Sequence, residues 1–172
     1  MADRRSRGQA LVEFALILPV TLLLLLGLIE TGRAFVFGVS VQNGAREAVR
    51  LAANARINPA LQDKIFLQRL IDSSAPAMGG CTLPTTVTST PVTFTCGGGS
   101  WTLTLAVTPS GSSTSVSSFS ALTAAQQAQL NGGQVEVKAV GSVSLLAGLN
   151  AGSPLLSLYQ ITVQGDAIMA VL

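Results

Sequence analysis

Residues able to do chemistry are few in this chain and thinly spread. It contains no histidine, which removes imidazole acid–base catalysis, Ser-His-Asp triads and imidazole metal ligation together. The carboxylates form no pair. Asp63 and Asp72 are nine positions apart, on opposite faces of any helix that holds both, and Glu136 and Asp166 sit in no recognisable motif. No catalytic residue is assigned, and no enzymatic role is expected. Cys81 and Cys96 cannot complete a structural zinc tetrahedron without histidine or distant carboxylates, so no metal or cofactor is expected. The GGGS at Gly97 to Ser100 lacks the lysine and following helix of a phosphate loop and suits a hairpin turn. What remains is Glu13, the only charge between Gln9 and Ile29, five positions after Gly8. Placing an acid at the bilayer centre costs about 2.5 to 3.5 kcal/mol on insertion scales, so a carboxylate inside an apolar run is a functional candidate.

The elements that must position Glu13 can be read from composition. The chain has 172 residues, 48% hydrophobic and 10% charged, with a mean hydropathy of +0.54. It is too apolar for an ordinary soluble domain and too short for a polytopic one, whereas one membrane segment plus one small domain fits. Seven of the ten Lys and Arg residues precede position 60, and from Ser73 onward only Glu136, Lys138 and Asp166 are charged. With no basic patch interleaved with aromatics, nucleic acid is not an expected partner.

Ala10 to Ile29 supplies twenty residues, about 30 Å as a helix, enough to cross the hydrocarbon core. Arg4, Arg5 and Arg7 before it would stay cytoplasmic, which puts the chain beyond the span on the outer side of the membrane. The run continues into GLIETGRAFVFG with no A-x-A-like site, unlike a conventional cleaved signal. Pro19 leaves the Ala15 carbonyl without its usual partner and predicts a kink. Beyond the span, Val41, Ala45, Ala48, Ala52 and Ala55 recur at helical spacing, while Asn43, Arg46, Glu47, Arg50 and Asn54 share another face. One helix is expected from about Gln9 to Arg56, some 70 Å long. Ala34 with Gly38, and Gly44 with Ala48, are small-residue pairs that would admit close helix approach.

The stretch RGQALVEFALILPVTLLLLLGLIETGRAF, followed by NGAREAVRLAA, resembles the TadE-like family of minor pilins of the tight-adherence (Flp-type) pilus system. Basic leader, Gly8, acid five positions on, Phe14, an apolar helix with proline, then GR and AREAVR coincide in order over about Arg7 to Ala53. The resemblance implies cleavage by a prepilin peptidase between Gly8 and Gln9, which would make Glu13 the fifth mature residue. It implies a bacterial inner-membrane, single-pass pseudopilin-like subunit with a cytoplasmic N-terminus. Its partners would be main and minor pilins, the peptidase, the inner-membrane assembly platform and the lipid bilayer. A membrane-anchored periplasmic binding or adhesin module that never enters a pilus is the alternative, and it would keep residues 1–8.

Cleavage at Gly8 would free an α-amine on Gln9 in the apolar zone, and a carboxylate one turn along the helix is its natural neutralising partner. If the amine belongs to a neighbouring subunit, the pair also sets axial register. Otherwise Glu13 is a hydrated acid close to the cytoplasmic interface.

Residues 57–172 come after the leader (1–8) and the helix (9–56) as an extracytoplasmic domain. Asn58-Pro59 suits a helix start, running through about Ile71 with Leu61, Ile65 and Leu70 available for packing. Then TTVTSTPVTFTC, SWTLTLAVT, GQVEVKAVGSVSL and YQITVQGDAIMAV read as strands, the clearest alternation being Trp101, Leu103, Leu105 and Val107. Thr123 with Gln126 suggests a capping box on a short helix ending at Asn131-Gly132-Gly133. In an oxidising compartment Cys81 and Cys96 are expected to form a disulfide. The expected class is α+β: a long N-terminal helix continuing into a small antiparallel-sheet domain, pilin-like in form. A head of about 116 residues would be hard to pack on every subunit of a close-wound fibre, which favours a minor, sub-stoichiometric role.

Overall fold

The alternation of apolar with hydroxyl-bearing residues in the second half of the chain has one stable outcome, a sheet buried on a single face. A computed structural model shows that sheet. It describes residues 3–54, 59–84, 87, 90–96, 99–144 and 160–171. The chain divides into two compact units, Met1–Arg33 and Ala34–Leu172. Helix α1, Asp3–Asn54, belongs to both.

In the first unit α1 is helical from Asp3, so the leader continues the helix through Gly8 and Gln9 without a break. From Gly8 to Ile29 every residue is exposed, and the helix is long and apolar enough to cross a membrane. Pro19 lies inside it. The hydroxyls of Thr21 and Thr31 fold back onto the carbonyls of Ile17 (3.1 Å) and Gly27 (2.7 Å), which satisfies them without an outside partner.

In the second unit α1 is followed by α2 (Pro59–Ser73), α3 (Ala75–Met78), β1 (Val92–Cys96), β2 (Gly99–Thr108), α4 (Ala124–Ala128), β3 (Gln134–Ser144) and β4 (Gln160–Ala170). The strands form one antiparallel sheet in the order β1-β2-β3-β4. Thus the α+β class holds. Trp101, Leu103, Leu105 and Val107 on β2 and Val135, Val137 and Ala139 on β3 point to one face and are buried. Their alternate neighbours, among them Thr102, Thr104, Glu136 and Lys138, stay partly accessible on the other. A fully buried side chain of this size contributes about 1.5 to 3 kcal/mol, so this inner face carries much of the domain's stability.

The alanine line of α1 is the opposite layer. Val41, Ala45, Ala48 and Ala52 are buried, whereas Asn43, Arg46 and Arg50 are not. Ala55 lies outside the described residues. Small side chains are needed because the backbone itself comes close. A Cβ on Gly44 would run into the Ser74 hydroxyl and lie 2.8 Å from the Leu70 carbonyl. A Cβ on Gly165 of β4 would lie 2.7 Å from the Val41 carbonyl. The Gly44/Ala48 pair therefore accepts α2 and Ser74 of its own chain, while nothing lies within 4 Å of a Cβ built on Gly38.

The packing face of α2 differs from expectation. Phe66, Leu67, Leu70 and Ile71 are buried, but Ile65 is 45% exposed. Five positions separate Ile65 from Leu70, about 140° around the helix, so the two cannot share a face. The side chain of Leu61 and the Asn58 cap lie outside the described residues. Among the described residues of TTVTSTPVTFTC, only Val92–Cys96 is strand. It begins directly after Pro91, which has no N–H to give a ladder. Cys96 pairs with Gly99, so β1 and β2 form a hairpin, while Gly97 and Gly98 of the GGGS segment lie outside the described residues. The capping box is formed, with Thr123 accepting from the Gln126 N–H and the Gln126 side chain accepting from the Thr123 N–H. Its helix ends early, at Ala128, and Gly132 takes a left-handed φ of 79° in the turn beyond it.

Candidate functional site

Gly8, Gln9, Glu13 and Phe14 lie on one uninterrupted helical stretch of the first unit. Residues four apart on a helix are neighbours. Accordingly the Gln9 side-chain amide donates to Glu13 Oε1 at 3.5 Å, so the carboxylate lies over the turn that carries residue 9. Glu13 and Phe14 are both exposed, and a Cβ built on Gly8 would meet nothing within 4 Å. The backbone at Gly8–Gln9 is thus unencumbered, with the acid one turn on. At the other end of the apolar run, Glu30 and Arg33 form an ion pair at 3.0 Å.

Cys81 is buried and disulfide-bonded. The chain's other cysteine is Cys96, the last residue of β1.

The remaining carboxylates stay apart. Asp63, 1% exposed, accepts from the Phe119 N–H (2.8 Å), the Ser120 N–H (3.5 Å) and the Ser120 hydroxyl (3.1 Å). Asp72 is exposed and accepts from the Gln68 amide. Among the described residues no cluster of His, Cys, Asp or Glu could hold a metal. The structural role of Asp63 was readable from periodicity, because it falls on the same face as Phe66, Leu67, Leu70 and Ile71. On that face an acid must find several donors.

On α1 of the second unit, Glu47 and Arg50 pair at 2.9 Å. The hydrogen bond from Arg50 holds the Glu47 carboxyl below its usual range; desolvation opposes this, and the charges of Arg50 and Arg69 add to the lowering. The same pairing raises Arg50. Two shallow surface grooves adjoin this helix. Leu51, Lys64, Ile65, Gln68, Arg69 and Asp72 line one; Phe35, Gly38, Val39, Gln42, Asn43 and Arg46 line the other.

Residues 8–50 match the family model of TadE-like proteins. The match opens at Gly8, takes in Gln9, Glu13 and Phe14, and ends at Arg50. No curated protein and no solved structure matches the chain.

Proposed function

We propose that this chain is a minor pilin or pseudopilin-like, non-catalytic subunit that takes part in assembling a tight-adherence (Flp-type) pilus. A prepilin peptidase cuts it between Gly8 and Gln9, and Glu13 then neutralises the new Gln9 amine within the bilayer. The observation that carries the reading is the start of the TadE-like match at Gly8, with Glu13 over the turn of residue 9 on an exposed, membrane-length helix. The subunit is held by α1 in the inner membrane, leader inside and head outside, and it meets other pilins and the assembly platform there. Its large head supports the minor role, since close helical packing leaves little room for such a head on every subunit.

The test is the mature N-terminus. Intact-mass analysis of the protein from membranes should show loss of residues 1–8 and a chain beginning at Gln9. A protein that keeps its leader is an anchored binding or adhesin module instead. Quantitative mass spectrometry of purified fibres should find this chain far below the main pilin in copy number.

A further inference from the structure

Among the described strands β4 is an edge of the sheet. In an antiparallel ladder alternate residues turn their N–H and C=O groups toward the neighbouring strand and the others turn them away. Two observations fix which is which on β4. Val171 donates to the Gly133 carbonyl at 2.9 Å and accepts from the Gly132 N–H at 2.8 Å, so odd-numbered residues face the β3 side. The Asp166 N–H donates to Gln42 Oε1 at 3.3 Å, and the Asp166 carbonyl accepts from Gln42 Nε2 at 2.7 Å, so even-numbered residues face outward. The Gln42 amide therefore stands, at this one position, where the peptide of a fifth strand would stand. Past it, Ile168 and Ala170 turn the same groups outward, and nothing among the described residues bonds them.

Side chains at this edge are apolar on both faces. Ile168, on the outer face, is 59% exposed, and Met169, on the inner face, is 38% exposed. A helix or a bilayer surface laid against a sheet covers one face only. An extended segment entering edge-on covers both and also supplies main-chain partners that no described residue supplies. On the outer face Asp166 stands opposite Lys138 and Ile168 stands opposite Glu136, two acids against one base, so a further carboxylate on the incoming segment would be disfavoured.

We propose that the Ile168–Ala170 edge of β4 binds an extended strand of another polypeptide, apolar on both faces and free of acidic residues, which adds to the sheet through main-chain hydrogen bonds and stops at the Gln42 plug. The proposal stands apart from the pilus assignment, because it rests on the second unit alone.

Residue-resolved amide exchange on the full chain in detergent micelles tests it, the probe being a capped synthetic peptide of alternating valine and isoleucine with a lysine at each end. Without peptide, Ile168 and Ala170 should exchange about tenfold or more faster than Met169 and Val171. Saturating peptide should slow Ile168 and Ala170 by about tenfold. Ala170→Pro removes an outward N–H that no described residue bonds, so it should abolish the slowing at Ile168 while Met169 and Val171 stay protected. If that variant loses protection at Met169 and Val171, Ile168→Lys takes its place with the same expectation. The proposal is overturned if peptide leaves Ile168 unchanged, or if the edge variant is slowed as much as the parent. It is also overturned if Ile168 becomes protected with rising protein concentration and no peptide, since the occupant would then be a second copy of this chain.

Discussion

The carboxylate of Asp63 on α2 accepts the backbone N–H of Phe119 at 2.8 Å, joining residues 56 positions apart. The second oxygen takes the Ser120 hydroxyl, and the ring of Phe119 lies 5.4 Å from that of Phe66. One acid thereby pins the loop after β2 onto α2. Asp63→Ala leaves buried donors without an acceptor and should cost about 2 to 4 kcal/mol, whereas Asp63→Asn, which still offers one oxygen, should cost about half as much. Denaturant unfolding of the two variants measures the difference; equal loss in both would mean that packing, not hydrogen bonding, sets the effect.

The buried disulfide of Cys81 is expected to join it to Cys96. Non-reducing peptide mapping should recover the two cysteine peptides linked. Cys81→Ser should then lower stability by about 3 kcal/mol through the freed loop, as read from the unfolding midpoint. Recovery of both cysteines as alkylatable thiols in the native protein would remove this prediction.

Glu47 gives a pH dependence whose sign is fixed by its pairing. A folded carboxyl held below its unfolded value stabilises the fold above the unfolded pKa, near 4.3, and that contribution disappears as pH falls through the folded pKa. Carboxyl NMR titration should place Glu47 below an ordinary glutamate, and Arg50→Ala should move its midpoint upward. A midpoint indifferent to Arg50 would show that the pair is not formed in solution.

The two ends of the Gly8–Glu13 segment should fail in different ways when changed. Gly8→Trp should block cleavage and leave a full-length mass. Glu13→Leu should improve membrane insertion by about 3 kcal/mol on insertion scales and yet abolish piliation, because docking would bury the Gln9 amine without its carboxylate. A leucine variant that supports normal piliation would reduce Glu13 to a hydrated interfacial acid.

Local patterns were sufficient wherever the governing interaction is local. The apolar run of Ala10 to Ile29 determines a membrane-length helix, because backbone groups in an apolar medium must bond within their own segment. The Val41-Ala45-Ala48-Ala52 line, the Thr123/Gln126 box and the period-two burial of β2 also depend on neighbours a few positions away. Glu13 stood out because its surroundings in sequence are its surroundings in space. Tertiary structure alone decided which side of α2 is buried, and so left Ile65 outside. It also made Gly44 a seat for α2 and Ser74 of the same chain rather than for a helix of another subunit. The place of Asp63 on the buried face of α2 follows from periodicity, but neither its partner, the Phe119 N–H, nor the Gln42 amide at the β4 edge has a sequence signature, since each contact joins residues brought together only when α1 and α2 close over the sheet. An isolated glutamine carries no mark of the strand it will cap. Its partner is a backbone group, the same in every residue, and which one it meets depends on how the layers settle.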